Sequence, residues 1–165
     1  MKSKIVAATA LLAVASTSSM AFTSSTFSGQ HDPVESALGV YLGATSFVDL
    51  FSFTLASAAT VASTSTALGA LSFASYGLYG AGADLTAGTF DDWLVGGASL
   101  GAPGTLSSAA AAGSYYYKAL GITSDPGGAY SIASAVTPVP EPETYAMMLA
   151  GLGALGFLAR RRNNG

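Results

Sequence analysis

Few residues in this chain have the chemistry for catalysis. A nucleophilic triad needs a base, most often histidine. The chain has one histidine, His31, beside Asp32 in a Ser/Gly-rich stretch. Isolated there, it reads as a solvent-exposed loop residue. Asp91-Asp92 is the one adjacent pair of acids. In a strand, neighbours point to opposite faces; in a loop, the pair can join Asp84 around calcium, which takes six to eight oxygens. The acids lack the spacing of a dedicated calcium loop, so a solvated loop is expected. Asp49 lies among Phe47, Phe51 and Phe53. A buried carboxylate needs donors, and the expected position is a strand start, bonded to backbone N–H groups of a neighbouring turn. Tyr115-Tyr116-Tyr117, with Tyr76, Tyr79 and Trp93, offers flat rings for sugars to stack on, although strand alternation sends half of such a run into the core. No catalytic residue, metal ligand or cofactor site is assigned, and an enzyme is not expected.

Composition narrows the field further. Half of the 165 residues are apolar and only 9% are charged, with a net charge of -3; ordinary soluble domains carry about 25% charged residues. The absence of cysteine excludes a disulfide framework, a thiolate metal site and a cysteine-linked lipid anchor. Lys2 and Lys4 open the chain and Arg160, Arg161 and Arg162 close it, so Lys118 is the only base between them. No basic stripe exists for nucleic acid. Residues 22–137 set seven acids against that one lysine.

The two ends read as addresses. Lys2 and Lys4 precede an apolar run, Ile5 to Ala15, too short to span a bilayer core of about 30 Å as a helix. A polar, small-residue segment follows, with Ser19 and Ala21 at the positions a signal peptidase reads. Residues 1–21 are thus expected to be a secretory signal peptide, cut before Phe22; the alternative is an amphipathic N-terminal helix. At the other end, Tyr145 to Ala159 carries no charge and would form a helix of about 22 Å. That is a marginal span, extended by Tyr145 at one interface and by arginine stems snorkelling to the other. The arginines mark the cytoplasmic side. The alternative is a buried core helix. Before it, Val139-Pro140-Glu141-Pro142 should be a stiff extended stem, because prolines at i and i+2 oppose helix.

Pro140-Glu141-Pro142, the short apolar helix with Gly151, Gly153 and Gly156, and the Arg160-Arg161-Arg162 tail resemble the PEP-CTERM sorting signal of exopolysaccharide-producing Gram-negative bacteria. The same element is also catalogued as an ice-binding protein C-terminal domain, a label that describes a sorting device and says nothing about ice. The resemblance, over residues 138–165, implies transient anchoring in the inner membrane, cleavage near the motif by an exosortase-type enzyme, and delivery to the cell surface or extracellular matrix.

Between these ends, residues 22–137 read as one all-β extracytoplasmic domain, a small β-sandwich or jelly roll. Phe47, Phe51, Phe53 and Leu55 share one strand face. Leu71, Phe73 and Ser75 alternate with Ser72, Ala74 and Tyr76 in a second strand. Thr60 to Thr66 suits an outer or edge strand. Ser114 to Ile122 and Ala129 to Ala135 look like a closing pair joined by the turn cluster Ser124-Asp125-Pro126-Gly127-Gly128. Ser107 to Gly113, rich in alanine, is expected to be a loop or short helix. Phe90 to Gly101 is left open between strand, helical turn and loop. Phe47, Asp49 and Phe51 fit an FxDxF pattern, and with Gly127-Gly128-Ala129-Tyr130 the chain resembles the FxDxF family of PEP-CTERM proteins. That resemblance implies location rather than chemistry. The expected function is a non-catalytic surface or matrix protein, associated with exopolysaccharide or biofilm. The alternative is a glycan-binding module, with or without a metal.

Overall fold

The structure, a computed structural model, describes residues 20–27, 29–139 and 142–163. Seven strands and one helix follow in order: β1 (Met20–Ser25), β2 (Val34–Leu42), β3 (Thr45–Leu55), β4 (Ala59–Gly80), β5 (Trp93–Ser99), β6 (Leu106–Ala110), β7 (Gly113–Pro138) and α1 (Pro142–Asn163). All pairings between strands are antiparallel, in one open sheet.

The sheet is organised by its two longest strands. β4 runs beside β7 from Ala59↔Pro138 to Gly80↔Tyr115. On the far side of β7, β3 takes the N-terminal half and β2 the C-terminal half. On the far side of β4, β6 pairs near its start and β5 near its end. β1 adds an outer strand to β2.

The long strands are bent back on themselves. Tyr117 and Ser134 lie seventeen residues apart on β7, on the order of 55 Å if the strand were straight, yet their hydroxyls are 3.0 Å apart. Ser63 and Tyr76, both on β4, also meet through their hydroxyls, at 3.5 Å. One continuous sheet therefore faces itself, in place of the two separate sheets of the expected sandwich. Strands that pass through such a corner need bends or bulges. In β4 the register slips between Gly69 and Leu71 and between Ser72 and Ser75. In β7 the corner is Ser124 to Gly127. Gly69 and Gly127 both hold positive φ there, and a Cβ on Gly127 would stand 2.2 Å from the carbonyl oxygen of Tyr41. A side chain has no room at that position.

The core lies inside the fold. Phe47, Phe51, Phe53 and Leu55 are buried together as their spacing predicts. They meet Tyr117 and Ala119 from one half of β7, and Tyr130 and Ile132 from the other.

Several expectations are corrected. Thr60 to Thr66 and the 71–76 segment are one strand, β4; Thr60 to Ser63 is paired on both sides, whereas Thr64 to Thr66 pairs with β7 alone and keeps the open side expected of an edge. Phe73 is exposed, with positive φ at the register slip. The two halves of β7 do not pair with each other, because β4 occupies the edge they would share. The alanine-rich segment forms β6, since pairing with β4 outweighs intrinsic helix preference. Residues 90–101 divide into a loop and β5.

At the C-terminus α1 begins at Pro142 and ends at Asn163, longer at both ends than the expected 145–159. Pro142 opens a helix rather than continuing a stem, because the first helical position needs no N–H donor. No helix among the described residues is long and apolar enough to cross a membrane. The anticipated transmembrane span is therefore a helix whose apolar part is short.

Candidate functional site

Phe47, Asp49 and Phe51 sit at alternate positions of β3 and so share its inner face. Asp49 is in mid-strand, not at a strand start, and its donors are not turn amides. Its Oδ2 accepts hydrogen bonds from the hydroxyls of Tyr41 on β2 and Tyr130 on β7. Phe47 stacks on both rings, at 4.4 and 5.4 Å between centroids. Both phenols are held well above the ordinary tyrosine range, by burial first and by the bond to Asp49 second. Gly39 makes the packing possible, since a Cβ there would lie 2.3 Å from the Tyr130 ring. The FxDxF triplet thus ties β2, β3 and β7 together around one carboxylate.

His31 is buried, contrary to the exposed loop expected for it. Phe27 and Phe53 meet its ring edge-on, at 5.5 and 4.7 Å. Its Nδ1 bonds the carbonyl oxygen of Asp32, which can only accept, so Nδ1 donates. Nε2 lies 2.9 Å from the Ser134 hydroxyl, which the Tyr117 hydroxyl approaches to 3.0 Å. Glu35 lies 3.6 Å from Nδ1. Serine, histidine and glutamate in this order are the parts of a hydrolytic triad. However, Ser134 is 1% exposed and Tyr117 fully buried, so the hydroxyl has no open side for a substrate. The arrangement satisfies buried polar groups. Ser134 lies 103 residues from His31, and nothing in the local sequence links them.

Asp84, Asp91 and Asp92 do come together in the loop before β5, with one oxygen of each within 4.8 Å of the others. The loop is built rather than merely solvated. Asp91 accepts the N–H of Ala83 at 2.6 Å and the Thr89 hydroxyl at 2.8 Å. Asp92 accepts from the N–H groups of Gly82, Gly88 and Thr89 and from the Tyr116 hydroxyl, all within 2.9 Å. The Thr89 bond leads in holding the Asp91 carboxyl below its usual value. At Asp92 desolvation pulls upward, but the Gly82 N–H and its companions outweigh it, and the net shift is also downward. Burial, then Asp92, pushes Tyr116 up to about 12. The carboxylates are occupied in holding the loop.

The aromatic set divides. Tyr76, Tyr115, Tyr116 and Tyr117 are buried, while Trp93 is exposed and Tyr79 half-buried. Tyr79 stacks on Tyr116 at 5.3 Å.

Of the sorting residues, Pro142, Arg160, Arg161 and Arg162 lie on α1; Pro140 and Glu141 lie outside the described residues. Arg160 is exposed, as are Met147, Met148, Leu149, Leu152 and Leu155. Gly151 and Gly153 have open space where a Cβ would stand. At the other end, Ser19 and the expected signal peptide up to it lie outside the described residues. Ala21 lies within β1, opposite Tyr41, so the expected cut falls inside a strand.

Residues 138–162 match the family model of the PEP-CTERM protein-sorting motif. No curated protein and no solved structure matches the chain. The matched segment starts at the last residue of β7. The chain therefore carries a PEP-CTERM sorting signal directly after its β domain, and this signal implies recognition by exosortase.

Proposed function

We propose that this protein is an exported, non-catalytic component of the cell surface or extracellular matrix, associated with exopolysaccharide. A signal peptidase removes residues 1–21. The helix then holds the chain in the inner membrane until an exosortase-type enzyme cuts near Pro140-Glu141-Pro142. Fifteen apolar residues give the helix a short core; thinned lipid, snorkelling arginines and oligomerisation accommodate such a length. The observation that carries the reading is the match to the sorting motif beginning where the folded sheet ends. The burial of Ser134, beside the one histidine, supports a protein without hydrolytic chemistry.

The test is fractionation of cells with and without the processing enzyme, followed by mass spectrometry of both termini. The expected product starts at Phe22, ends near Glu141 and leaves the membrane only when the enzyme is present. A full-length, membrane-bound chain in both strains overturns the reading.

A second reading, a glycan-binding module, is favoured by one observation. Tyr79 remains on the outer face of the sheet, stacked on Tyr116, beside the exposed Leu94 and the only lysine of the domain.

A further inference from the structure

On the outer face of the sheet, where β5, β4 and β7 run side by side, the register sets Leu94, Tyr79 and Tyr116 in one row. Gly97, Gly77 and Lys118 form the next row, and Ser99, Ser75 and Leu120 the one after. Gly77 is buried beneath the Tyr79 ring and a Leu94 methyl, which stand 3.0 and 3.1 Å from where a Cβ on it would be, while Gly97 is exposed and leaves that part of the floor without a side chain. The resulting groove holds about 430 Å3, within the range of roughly 300–1,000 Å3 usual for small-ligand clefts. The Lys118 ammonium stands 6.0 Å from the Tyr79 ring centroid. Among the described residues no carboxylate lies within ion-pair distance of it. Tyr116 is in turn held by its bond to Asp92, 2.9 Å, so the acidic loop fixes the aromatic end of the groove.

We propose that this groove binds a carboxylated pyranose, a uronate unit within an acidic polysaccharide. The inference rests on the glycan-binding reading and names its ligand class. A sugar ring has an apolar C–H face, which the exposed Leu94 and Gly97 and the half-buried edge of the Tyr79 ring accommodate. Ser75 and Ser99 offer hydroxyls to its hydroxyl groups. Its carboxylate finds Lys118, the single cation of a domain with seven acids.

The test is affinity electrophoresis of the full-length chain in mild detergent, at low ionic strength, through gels containing polygalacturonate, neutral dextran or polyglutamate. Retardation is expected with polygalacturonate alone. Lys118→Ala should weaken it about tenfold or more, the value of a charge-assisted hydrogen bond, and Tyr79→Ala should do the same. Phe73→Ala, on an exposed side chain at the corner, should leave it unchanged. Lys118→Ala changes a head group on the outer face and keeps the fold, so it decides the matter even if Tyr79→Ala fails to fold. Retention of full affinity by Lys118→Ala, or equal binding of polyglutamate, overturns the proposal. Equal binding of dextran overturns the uronate assignment and leaves the glycan reading standing. No binding of either glycan overturns both.

Discussion

Asp49 keeps its place on an otherwise aromatic face because two phenols donate to it. Removing the carboxylate strands both hydroxyls in the interior. Asp49→Ala should therefore cost about 1–3 kcal/mol, read as a lower thermal midpoint, with Asp49→Asn less damaging because it still accepts. The same pair sets an alkaline limit. A raised folded-state pKa means that the native protein holds the proton more tightly than the unfolded chain. The stabilisation is complete below the unfolded tyrosine value, about 10, and is lost as pH rises from there through the folded values. Denaturant midpoints measured from pH 8 to 11.5 should fall above pH 10, and fall less steeply in Tyr41→Phe. Spacing alone shows that Phe47, Asp49 and Phe51 share a face. It does not show Tyr130, which lies 81 residues from Asp49. For His31 the mismatch is greater, since its burial depends on partners from β3 and β7.

At the scale of elements, local pattern is reliable where a strand has one apolar face and misleading where it does not. β3 has such a face and was legible. β2 is the opposite case. Its inward residues are Glu35, Ala37, Gly39 and Tyr41, while Val34, Leu38 and Leu42 point outward and are exposed. The more apolar side faces solvent because the interior side must admit the Tyr130 ring. The cluster from Ser124 to Gly128 has the composition of a hairpin turn, and turn residues equally serve a corner within one strand. What decides between them is whether a third strand continues past the bend, and β4 does. The β7 corner is thus intolerant of a side chain at Gly127. Gly127→Ala forces a Cβ against the Tyr41 carbonyl at a positive φ. It should cost about 1–3 kcal/mol from backbone strain plus the displacement of that carbonyl, measured by chemical denaturation. Gly104→Ala, with open space around it but also at positive φ, serves as the control for strain alone.

At the scale of the molecule, the C-terminal sorting signal was the most legible part, because sorting is read from short linear order rather than from a fold. The proposed processing makes one further prediction. With Pro142 already at the helix start, replacing both Pro140 and Pro142 with Ala removes the barrier to extending α1 toward β7. Membrane association should be unchanged while release falls, which an immunoblot of membrane and medium fractions checks. The placement of the tether has a mechanical consequence. The segment that leads to α1 leaves from β7, the strand flanked by β4 on one side and by β2 and β3 on the other. Tension applied there loads the middle of the sheet, so many hydrogen bonds share the force in shear before any one yields. Attachment through β1, an outermost strand, would instead unzip pairs one at a time. Forced unfolding is governed by the unfolding rate rather than by equilibrium stability, so until the tether is cut the domain hangs from its central strand and resists pulling through the rate at which that strand is sheared out.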